Sequence, residues 1–457
     1  MKTTLKIIAW ALSSFILIVL IAIAVSIWWV FTPEKITPLV QKQLQTMLTC
    51  ETRFDRVELT FFSTFPEFTL HLHGFSMVQP VEGAPSDTLV RASAACATVD
   101  VMEFFNNDAL VVRDVLLQDA LILAYVDSAG NANYQIMPPS DELPDTSAFE
   151  LPVSRLGIEK VELENARIRY FDVPMKLKAD LKNVKARMTV EGVKDLFSGK
   201  LNLQTGSVAL EYDSIAYLHE VPLRISTSYS FEMNRFILQL SDAELLLNEL
   251  PLTLGVRIEN NSSTGNMLLD IAFGSDGKLP VKPLLAMVPE YYSDYLEGIS
   301  LDGMASLQGR LRGTVNEHSL PHFTLSAELE KSSFAYKGMP VELREMSGKA
   351  DIDFDLNNEK NWHIKIKDFD AQTLNSHIRG GGKVDDLTGD MRFDLIADGD
   401  LNLADAETLL PEDLKIDLKG SAQGALKLKF RLSEIMEFQF DKILASGRFK
   451  ISNFFLA

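Results

Sequence analysis

Cysteine is scarce in this chain. Only Cys50 and Cys96 occur among its 457 residues, so neither a disulfide framework nor a Cys-rich zinc site holds the fold together. The two thiols either pair with each other or stay free, and the sequence leaves both options open.

Basic residues are also in short supply. The chain has 44 Lys and Arg against 63 Asp and Glu, which gives a formal net charge of -19. Binding to phosphate backbones requires clustered Lys and Arg, so this composition excludes nucleic acid as a partner. The acidic excess indicates a solvated outer face.

Complete catalytic or metal-binding motifs are missing as well. His71 and His73 alternate on a predicted strand without a third ligand, which favours two solvent-facing polar residues over a metal site. The glycine-rich stretch 379–383 is followed by Val384, not by the Ser or Thr of a phosphate loop, and is interpreted as a turn or bulge between strands. Residues 298–302 lack the second Gly of a nucleophile elbow. We therefore predict no enzyme, no cofactor and no catalytic or metal site.

Helix-length patterns are rare past Phe54, where apolar and polar residues alternate for about four hundred residues. In residues 350–356 apolar side chains alternate with Asp, and in residues 426–432 they alternate with Lys and Arg. Successive side chains of a strand point to opposite faces, so each segment has one face that must be hidden from water. The sheet must close on itself, pair with a second sheet, or leave an apolar groove for a ligand.

The N-terminal region contains the one long apolar run. Residues 7–31 carry no charge, and a helix of that length is long enough to cross a bilayer. We predict an uncleaved transmembrane anchor; cleavage after Ala22-Ile23-Ala24 is the weaker alternative. Lys2 and Lys6 precede the span, which places residues 1–6 in the cytoplasm and the bulk of the chain across the membrane.

The remaining chain divides into three predicted segments. Residues 32–137 form a first β segment, led by a short helix whose Val40, Leu44, Met47 and Leu48 stripe is predicted to fill a core or plug a sheet end. Residues 138–152 form a Pro- and acid-rich surface loop. Residues 153–457 form a repetitive β segment.

An internal echo supports repetition in the second half. Two stretches, 267–311 and 391–430, each run from a strand through a short helix, a Pro and a Gly to an alternating strand. The chain then stops in a strand at residues 449–457 without a polar tail. Either more protein follows, or a partner covers this end.

Three motifs in this order resemble the AsmA-like family of Gram-negative envelope proteins. The first is Phe65-Pro66 after a short helix, and the second is an Asp-x-x-Gly-x-x-Asn turn at Asp127, Gly130 and Asn133. The third is the strand 163–172, which contains Asn-Ala and Tyr-x-Asp. Beyond residue 181 the likeness is a pattern of repeats.

The resemblance implies a fold, a location and a function. The expected fold is mainly β: an N-terminal transmembrane helix, then an elongated, twisted, repetitive antiparallel β-sheet groove with a few short helices. The expected protein is anchored in the inner membrane by a single pass, lies in the periplasm, and binds and conducts phospholipid in support of outer-membrane biogenesis. Members are often longer, so the C-terminal segment is expected to be incomplete or to meet an outer-membrane or periplasmic protein.

Twelve apolar residues on the alternating strands are the candidates for the lipid-binding groove. They are Phe68, Leu70, Leu72, Ile168, Tyr170, Ile352, Phe354, Trp362, Ile364, Leu426, Leu428 and Phe430. The alternative is that these side chains fill a closed sandwich core. A second functional hypothesis is a structural or chaperone-like factor that offers sheet edges to outer-membrane proteins.

Overall fold

The computed structural model describes most of the chain from Thr32 onward. The described ranges are 32–60, 68–100, 111–136, 158–193, 195–233, 235–261, 266–288, 291, 293, 296–316, 318–337, 341–407, 417–437 and 439–456. The predicted N-terminus and anchor at 1–31, the Phe65-Pro66 motif and the loop 138–152 lie outside these ranges. Within them, none of the helices is both long and apolar enough to cross a membrane.

The described elements are mainly strands with a few short helices, as predicted. The helices are α1 Pro33–Met47, α2 Val281–Leu285, α3 Leu403–Glu407 and α4 Leu432–Met436, with 3-10 turns at Glu359–Asn361 and Phe440–Lys442. The strands up to residue 193 are β1 Glu51–Arg53, β2 Arg56–Thr60, β3 Phe68–Val78, β4 Thr88–Asp100, β5 Val111–Gln118, β6 Leu121–Val126, β7 Lys160–Asp172, β8 Leu177–Thr189 and β9 Glu191–Val193. The later strands are β10 Leu196–Tyr212, β11 Ile215–Glu232, β12 Ile237–Leu247, β13 Leu250–Asn261, β14 Asn266–Ser275, β15 Leu279–Pro280, β16 Ile299–Val315, β17 His322–Tyr336, β18 Leu343–Asp355, β19 His363–Gln372, β20 His377–Asp385, β21 Arg392–Asn402, β22 Leu418–Arg431 and β23 Leu444–Leu456.

The described residues belong to two compact units. Unit one contains those up to Glu191, and unit two contains those from Gly192. The predicted segment boundaries at 137 and 153 are not tested by this division and stay predictions.

Unit one is a sheet whose apolar face is covered by α1. The helix begins at Pro33, where proline needs no backbone N–H, and Pro38 lies inside it. Val40 is buried, and Leu44 and Leu48 pack against the same core cluster. The predicted core role is confirmed for these three residues, and the Met47 side chain lies outside the described ones.

The expected antiparallel pairing holds for most strands, but the sheet of unit one also contains two parallel pairings. Strands β5 and β6 pair antiparallel with β4 and parallel with β7. Both strands lie between β4 and β7, one after the other. The chain breaks between them at Asp119, whose φ is +48°. Periodicity predicts which side chains share a face but carries no information about the direction in which strands pair.

Unit two is an antiparallel meander. From β10 to β14 and from β16 to β23, every strand pairs with the strand that follows it. Strand β16 continues the series by pairing with β14, and the two-residue β15 pairs with β16 further along. This order confirms the predicted antiparallel sheet for the repetitive segment.

The predicted internal echo is present in unit two. Helix α2 lies between β14 and β16, and α3 lies between β21 and β22. Each helix is five residues long. Helix α2 follows the two-residue strand β15, and α3 follows β21 directly. Both copies therefore run strand, short helix, strand, as expected.

The glycine-rich stretch lies inside strand β20, not in a turn. Gly380 and Gly382 pair with residues of β19 and β21, and the register shift falls on β19 between Ile366 and Phe369. A Cβ at Gly380 would lie 2.1 Å from the carbonyl oxygen of Ile396 on the neighbouring strand. Glycine is thus required by the close approach of backbones.

Candidate functional site

One face of the unit-two sheet is apolar across nearly all of its strands. Directly opposite residues of neighbouring strands share a face, so the pairing register defines continuous rows of side chains. The longest row crosses ten strands from β12 to β22. It contains Ala243, Leu254, Phe273, Gly309, Leu325, Ile352, Ile364, Val384, Phe393 and Phe430.

A second row runs beside it across seven strands, from β11 to β18. It contains Tyr229, Leu240, Val256, Ile271, Leu311, Phe323 and Phe354. Together the rows form a surface that we call the apolar face, defined by these two sets of residues and by the same-face neighbours Leu395, Leu426 and Leu428.

Most large side chains of the apolar face are half-buried. Leu254, Phe273, Leu325, Phe393 and Phe430 all fall in this class, between the buried core and the free surface. Their exposure is intermediate, so neighbours cover part of each side chain and another part faces solvent. The apolar face therefore remains reachable from outside.

Aromatic rings stack along part of this face. Phe354 lies 4.4 Å from the Trp362 ring, centroid to centroid, and 6.0 Å from Phe323, which in turn stacks on Phe273 at 6.3 Å. The indole N–H of Trp362 donates to the carbonyl oxygen of Asp355 at 2.8 Å, so its polar atom is satisfied within the protein. The stacked rings therefore present a carbon surface, because the indole N–H of Trp362 is already hydrogen-bonded.

The opposite face of unit two is charged and wet. Cross-strand ion pairs follow its length, and several carboxyl groups there have lowered pKa values because a Lys or Arg on the neighbouring strand hydrogen-bonds them. Three such pairs are Arg310 with Asp270 at 2.6 Å, Lys367 with Asp351 at 2.5 Å and Lys429 with Asp394 at 2.6 Å. This face keeps the sheet in contact with water, so the two faces differ fully in chemistry.

The short helices of unit two cover little of the apolar face. At 1.5 Å per residue, a five-residue helix such as α2 or α3 is only about 7.5 Å long. Helix α3 is fastened by Asp405, whose carboxylate accepts hydrogen bonds from Thr373 Oγ1 at 2.5 Å and Ser376 Oγ at 2.6 Å. Helices of this length are too short to cover a face whose longest row crosses ten strands.

The one small cavity near α2 is too small for a lipid tail. Residues 216–219 and Val221 line it on one side and residues 286–288 on the other, and its volume is about 60 Å³. That space holds a few water molecules. A second, open hollow of about 400 Å³ in unit one is lined mostly by polar side chains, among them Asp119, Asn165 and Lys182. Of these sites, the apolar face of unit two suits a larger apolar ligand best.

The structure places seven predicted groove residues on or against this face. Ile352, Ile364 and Phe430 share the longest row, and Phe354 lies in the second. Trp362 stacks on Phe354, while Leu426 and Leu428 alternate along β22 on the same side as Phe430. All seven are half-buried.

Three predicted residues lie elsewhere, inside a closed core. Phe68, Leu70 and Leu72 are 5%, 5% and 6% exposed in unit one, in the cluster that includes Val40 of α1. They follow the closed-core alternative because α1 packs on their face. We leave them out of the proposed lining.

Ile168 and Tyr170 lie on β7 in unit one and are half-buried. Ile168 is opposite Leu181, and the Tyr170 hydroxyl donates to Asp172 Oδ2 at 2.8 Å. Burial, reinforced by Asp172, raises the pKa of Tyr170 well above its usual range. These two residues belong to unit one, whereas the seven above belong to unit two.

Sequence inspection missed several members of the apolar face. Phe273, Phe323, Leu325, Phe393 and Leu395 complete its rows. Each follows the same period-two alternation as the predicted residues, so the sequence does indicate that these side chains lie on an apolar strand face. The sequence does not indicate the pairing register, which determines the residues that lie opposite each other on neighbouring strands.

The Asp-x-x-Gly-x-x-Asn segment is a structural turn. Asp127 Oδ1 accepts from the backbone N–H groups of Ala129 and Asn131, both at 2.8 Å, and Gly130 has a φ of +87°. Asn133 is fully buried; its Oδ1 accepts from the Tyr125 N–H and its Nδ2 donates to the Leu123 carbonyl, each at 2.8 Å. The predicted turn is confirmed, and the side chains of Asp127 and Asn133 form hydrogen bonds with backbone groups.

The Asn-Ala and Tyr-x-Asp motif on β7 is structural in the same way. Asn165 has a φ of +53° and donates from Nδ2 to Asp119 Oδ1 at 2.7 Å, opposite the break between β5 and β6. Ala166 is 1% exposed, which leaves no room for a larger side chain. Asp172 also accepts from the backbone N–H of Met175 at 2.9 Å.

The histidines and cysteines of unit one form separate pairs. His71 Nδ1 lies 3.1 Å from Cys96 Sγ, and His73 Nε2 lies 3.3 Å from Glu58 Oε2. Cys50 and Cys96 are both free and buried, and burial raises the pKa of each thiol. Across the described ranges, no group of three His, Cys, Asp or Glu side chains is arranged to hold a metal ion.

Comparison with known proteins gives one match. The model of the AsmA family matches residues 1–242, which is more than half of the 457-residue chain. The matched range includes the turn at Asp127–Asn133 and the β7 motif described above. Neither a search of curated proteins nor a search of solved structures found a match.

Proposed function

Because the chain belongs to the AsmA family, we propose that it binds phospholipid by its tails on the apolar face of unit two and conducts it along that face. In this proposal the protein is anchored in the inner membrane through residues 7–31, with residues 1–6 in the cytoplasm and the bulk in the periplasm. Its activity is binding and transfer without a chemical step, in support of outer-membrane biogenesis.

One observation supports the proposal most strongly. An apolar row continues across ten strands of one sheet face, and the large side chains of that face are half-buried. A monomer rarely leaves an apolar surface of this extent without a ligand or partner. The seven residues proposed to line it are Ile352, Phe354, Trp362, Ile364, Leu426, Leu428 and Phe430.

The dimensions of the apolar face suit acyl chains. The longest row crosses ten strands through nine pairings, and about 4.8 Å per pairing gives roughly 43 Å across the strands. Half the ~30 Å hydrocarbon core of a bilayer is about 15 Å, so the face is about three tail lengths long.

The lining predicts weak discrimination and easy movement. Each buried CH₂ group gains about 0.8 kcal/mol, so tails of similar length bind with similar free energy whatever their headgroup. The rows carry aliphatic and aromatic side chains without a charged residue, so no polar site traps the tail along the way. Sliding between neighbouring positions is then expected.

Uptake of a labelled phospholipid by the delipidated full chain tests this proposal. We expect saturable uptake by the wild-type protein and strong loss in a Phe354→Asp, Leu428→Asp double variant, because charges on the apolar face cannot be solvated beneath a bound tail. Absence of uptake above background by the wild-type protein would remove the proposal.

A matched control carries the same charges on the other face. Gln308→Asp with Gln423→Asp places two carboxylates at exposed positions of the polar face, on β16 and β22. This control should retain uptake. Equal losses in both double variants would point to net charge or misfolding instead of the apolar face, and would count against the proposal.

A further inference from the structure

The open hollow of unit one is a cavity to which the proposed function assigns no role. Residues 119–121 line it at the junction of β5 and β6, residues 165–167 line it on β7, and residues 182 and 183 line it on β8. Its volume of about 400 Å³ lies within the range of small-molecule sites, about 300–1,000 Å³. A small organic ion therefore fits in it.

Three residues with a left-handed backbone shape the hollow. Asp119, Asn165 and Asn183 have φ values of +48°, +53° and +54°, and each belongs to a different lining segment. Asp and Asn adopt this conformation more readily than other non-glycine residues. The pairing of β7 with β8 shifts register on both sides of Ala166, so the strands bulge here. The backbones of three neighbouring segments thus produce the concavity.

Cations concentrate at the hollow, although the whole chain has a net charge of -19. Arg167 and Lys182 line it. Arg91 lies directly opposite Leu121, and Leu121 lies opposite Arg167, so the two arginines share one face of the sheet. The Arg91 side chain is exposed and has no ion pair or hydrogen bond within the part of the chain that the structure describes. It is therefore available to an anion in the hollow.

Arg167 is held in place with donors to spare. Its Nε and one terminal nitrogen donate to the Asp180 carboxylate at 3.0 Å and 2.6 Å. A guanidinium carries more N–H donors than this bidentate pair uses. The remaining N–H groups can bind an anion from a side chain that is already oriented.

The hollow also contains a carboxylate that forms no ion pair among the described residues. Asp119 accepts hydrogen bonds from Asn165 Nδ2 at 2.7 Å and from Ser93 Oγ at 2.9 Å. A carboxylate has about four acceptor sites, so Asp119 can accept further hydrogen bonds. Because Asp119 would repel a simple anion, a well-matched ligand carries a cationic donor beside its anionic group.

We propose that the hollow binds a small phosphate ester that also carries an ammonium group, as phosphoethanolamine does. The phosphate accepts hydrogen bonds from Arg91, Arg167 and Lys182, and the ammonium donates to Asp119. A free ester and a lipid headgroup both offer this chemistry. The inference concerns unit one and does not depend on lipid binding by the apolar face.

A phosphorus NMR titration of O-phosphoethanolamine with the full chain tests the proposal. We expect a saturable change of the ester resonance. The Kd should be lower than the Kd of inorganic phosphate, which has no ammonium group. It should also be lower than the Kd of phosphocholine, whose quaternary ammonium has no N–H to donate.

Removal of two cations should weaken this binding. In an Arg91→Gln, Lys182→Gln variant the Kd of phosphoethanolamine should rise about tenfold, because charge-assisted hydrogen bonds are lost. The control Lys365→Gln, Lys427→Gln removes two exposed cations from unit two and should leave the Kd unchanged. If the first variant loses the far-UV circular dichroism of the wild-type protein, Arg91→Gln alone replaces it, with a smaller rise expected.

Asp119→Asn tests the role of the carboxylate. Asn also adopts the left-handed conformation, so the variant removes the charge and keeps a residue suited to the backbone. The preference for phosphoethanolamine over inorganic phosphate should disappear. A preference that persists unchanged would contradict the assignment of the ammonium to Asp119.

The same titration with dihexanoylphosphatidylethanolamine identifies the source of the ester. Tighter binding of this lipid than of phosphoethanolamine, weakened by Arg91→Gln with Lys182→Gln, supports a lipid headgroup, and weaker binding supports a free ester. Three results would overturn the inference: no binding of phosphoethanolamine, equal binding of inorganic phosphate and phosphocholine, or the same Kd in the hollow variant as in its control.

Discussion

Units one and two are built from the same kind of strand but hide their apolar faces differently. In unit one, α1 packs on the sheet and seals a cluster that includes Val57 and Leu70. In unit two the helices are five residues long and the face stays half-buried. A period-two pattern therefore indicates that one face of a strand is apolar. Whether that face becomes a core or a surface for a ligand depends on whether a neighbouring element, such as α1, packs on it.

The largest expected difference between the units comes from removing one leucine in each. Leu70→Ala in unit one should destabilise that unit by about 3 kcal/mol, because the packed core leaves a cavity. Leu428→Ala on the open face should cost only about 1 kcal/mol, since solvent or neighbouring side chains fill the space.

Native-state hydrogen exchange measures the two effects separately, through amides of β3 and of β22. Equal losses of protection would mean that the two faces are equally enclosed. The comparison between a sealed and an open face would then fail.

The turn of unit one provides the second test. Asn133→Ala removes two hydrogen bonds to buried backbone groups of Tyr125 and Leu123 and should cost about 2 kcal/mol. Asn131→Ala, an exposed neighbour that bonds the Asp127 carboxylate, is the matched control and should cost less.

Exchange of the β6 amides gives the readout, and unit two should be unaffected by either variant. A loss of protection that spreads to β22 would show that the units do not behave as separate compact bodies.

The smallest effect is expected on the polar face of unit two. Lys367 hydrogen-bonds Asp351 and lowers the pKa of its carboxyl group below the unfolded value, with Ser326 adding to the shift. The stabilisation is therefore present above the unfolded pKa and disappears as the pH falls through the folded pKa. Lys367→Gln should cost less than about 1 kcal/mol at pH 7, because the pair is exposed.

Urea unfolding at pH 7 and at pH 2 checks the sign of this effect. The difference between Lys367→Gln and the wild-type protein should shrink at the lower pH, because protonation of Asp351 removes the ion pair. A difference of the same size at both pH values would rule out the ion pair as its cause.

Much of the fold was predictable because its signals are local. The alternation in residues 350–356 and 426–432 appears as β18 and β22, and the Asp127–Asn133 turn follows from one Asx-type carboxylate, one glycine and one buried amide. The α1 stripe was predictable from its helical spacing.

The rest depends on contacts between distant segments. Nothing local distinguishes Leu70, which is buried beneath α1, from Leu428, which is half-buried, because both lie on alternating strands. The parallel pairing of β5 and β6 with β7 likewise depends on how the chain returns after residue 136, which periodicity does not encode.

Photocrosslinking with a phospholipid that carries a diazirine at the end of one tail tests the central claim most directly. After illumination of the lipid-loaded full chain, mass spectrometry should place the adducts on the apolar face of unit two, at residues such as Ile352, Phe354 and Leu428. Adducts confined to Phe68, Leu70 and Leu72 in unit one, or to the charged face around Lys367, would contradict the account.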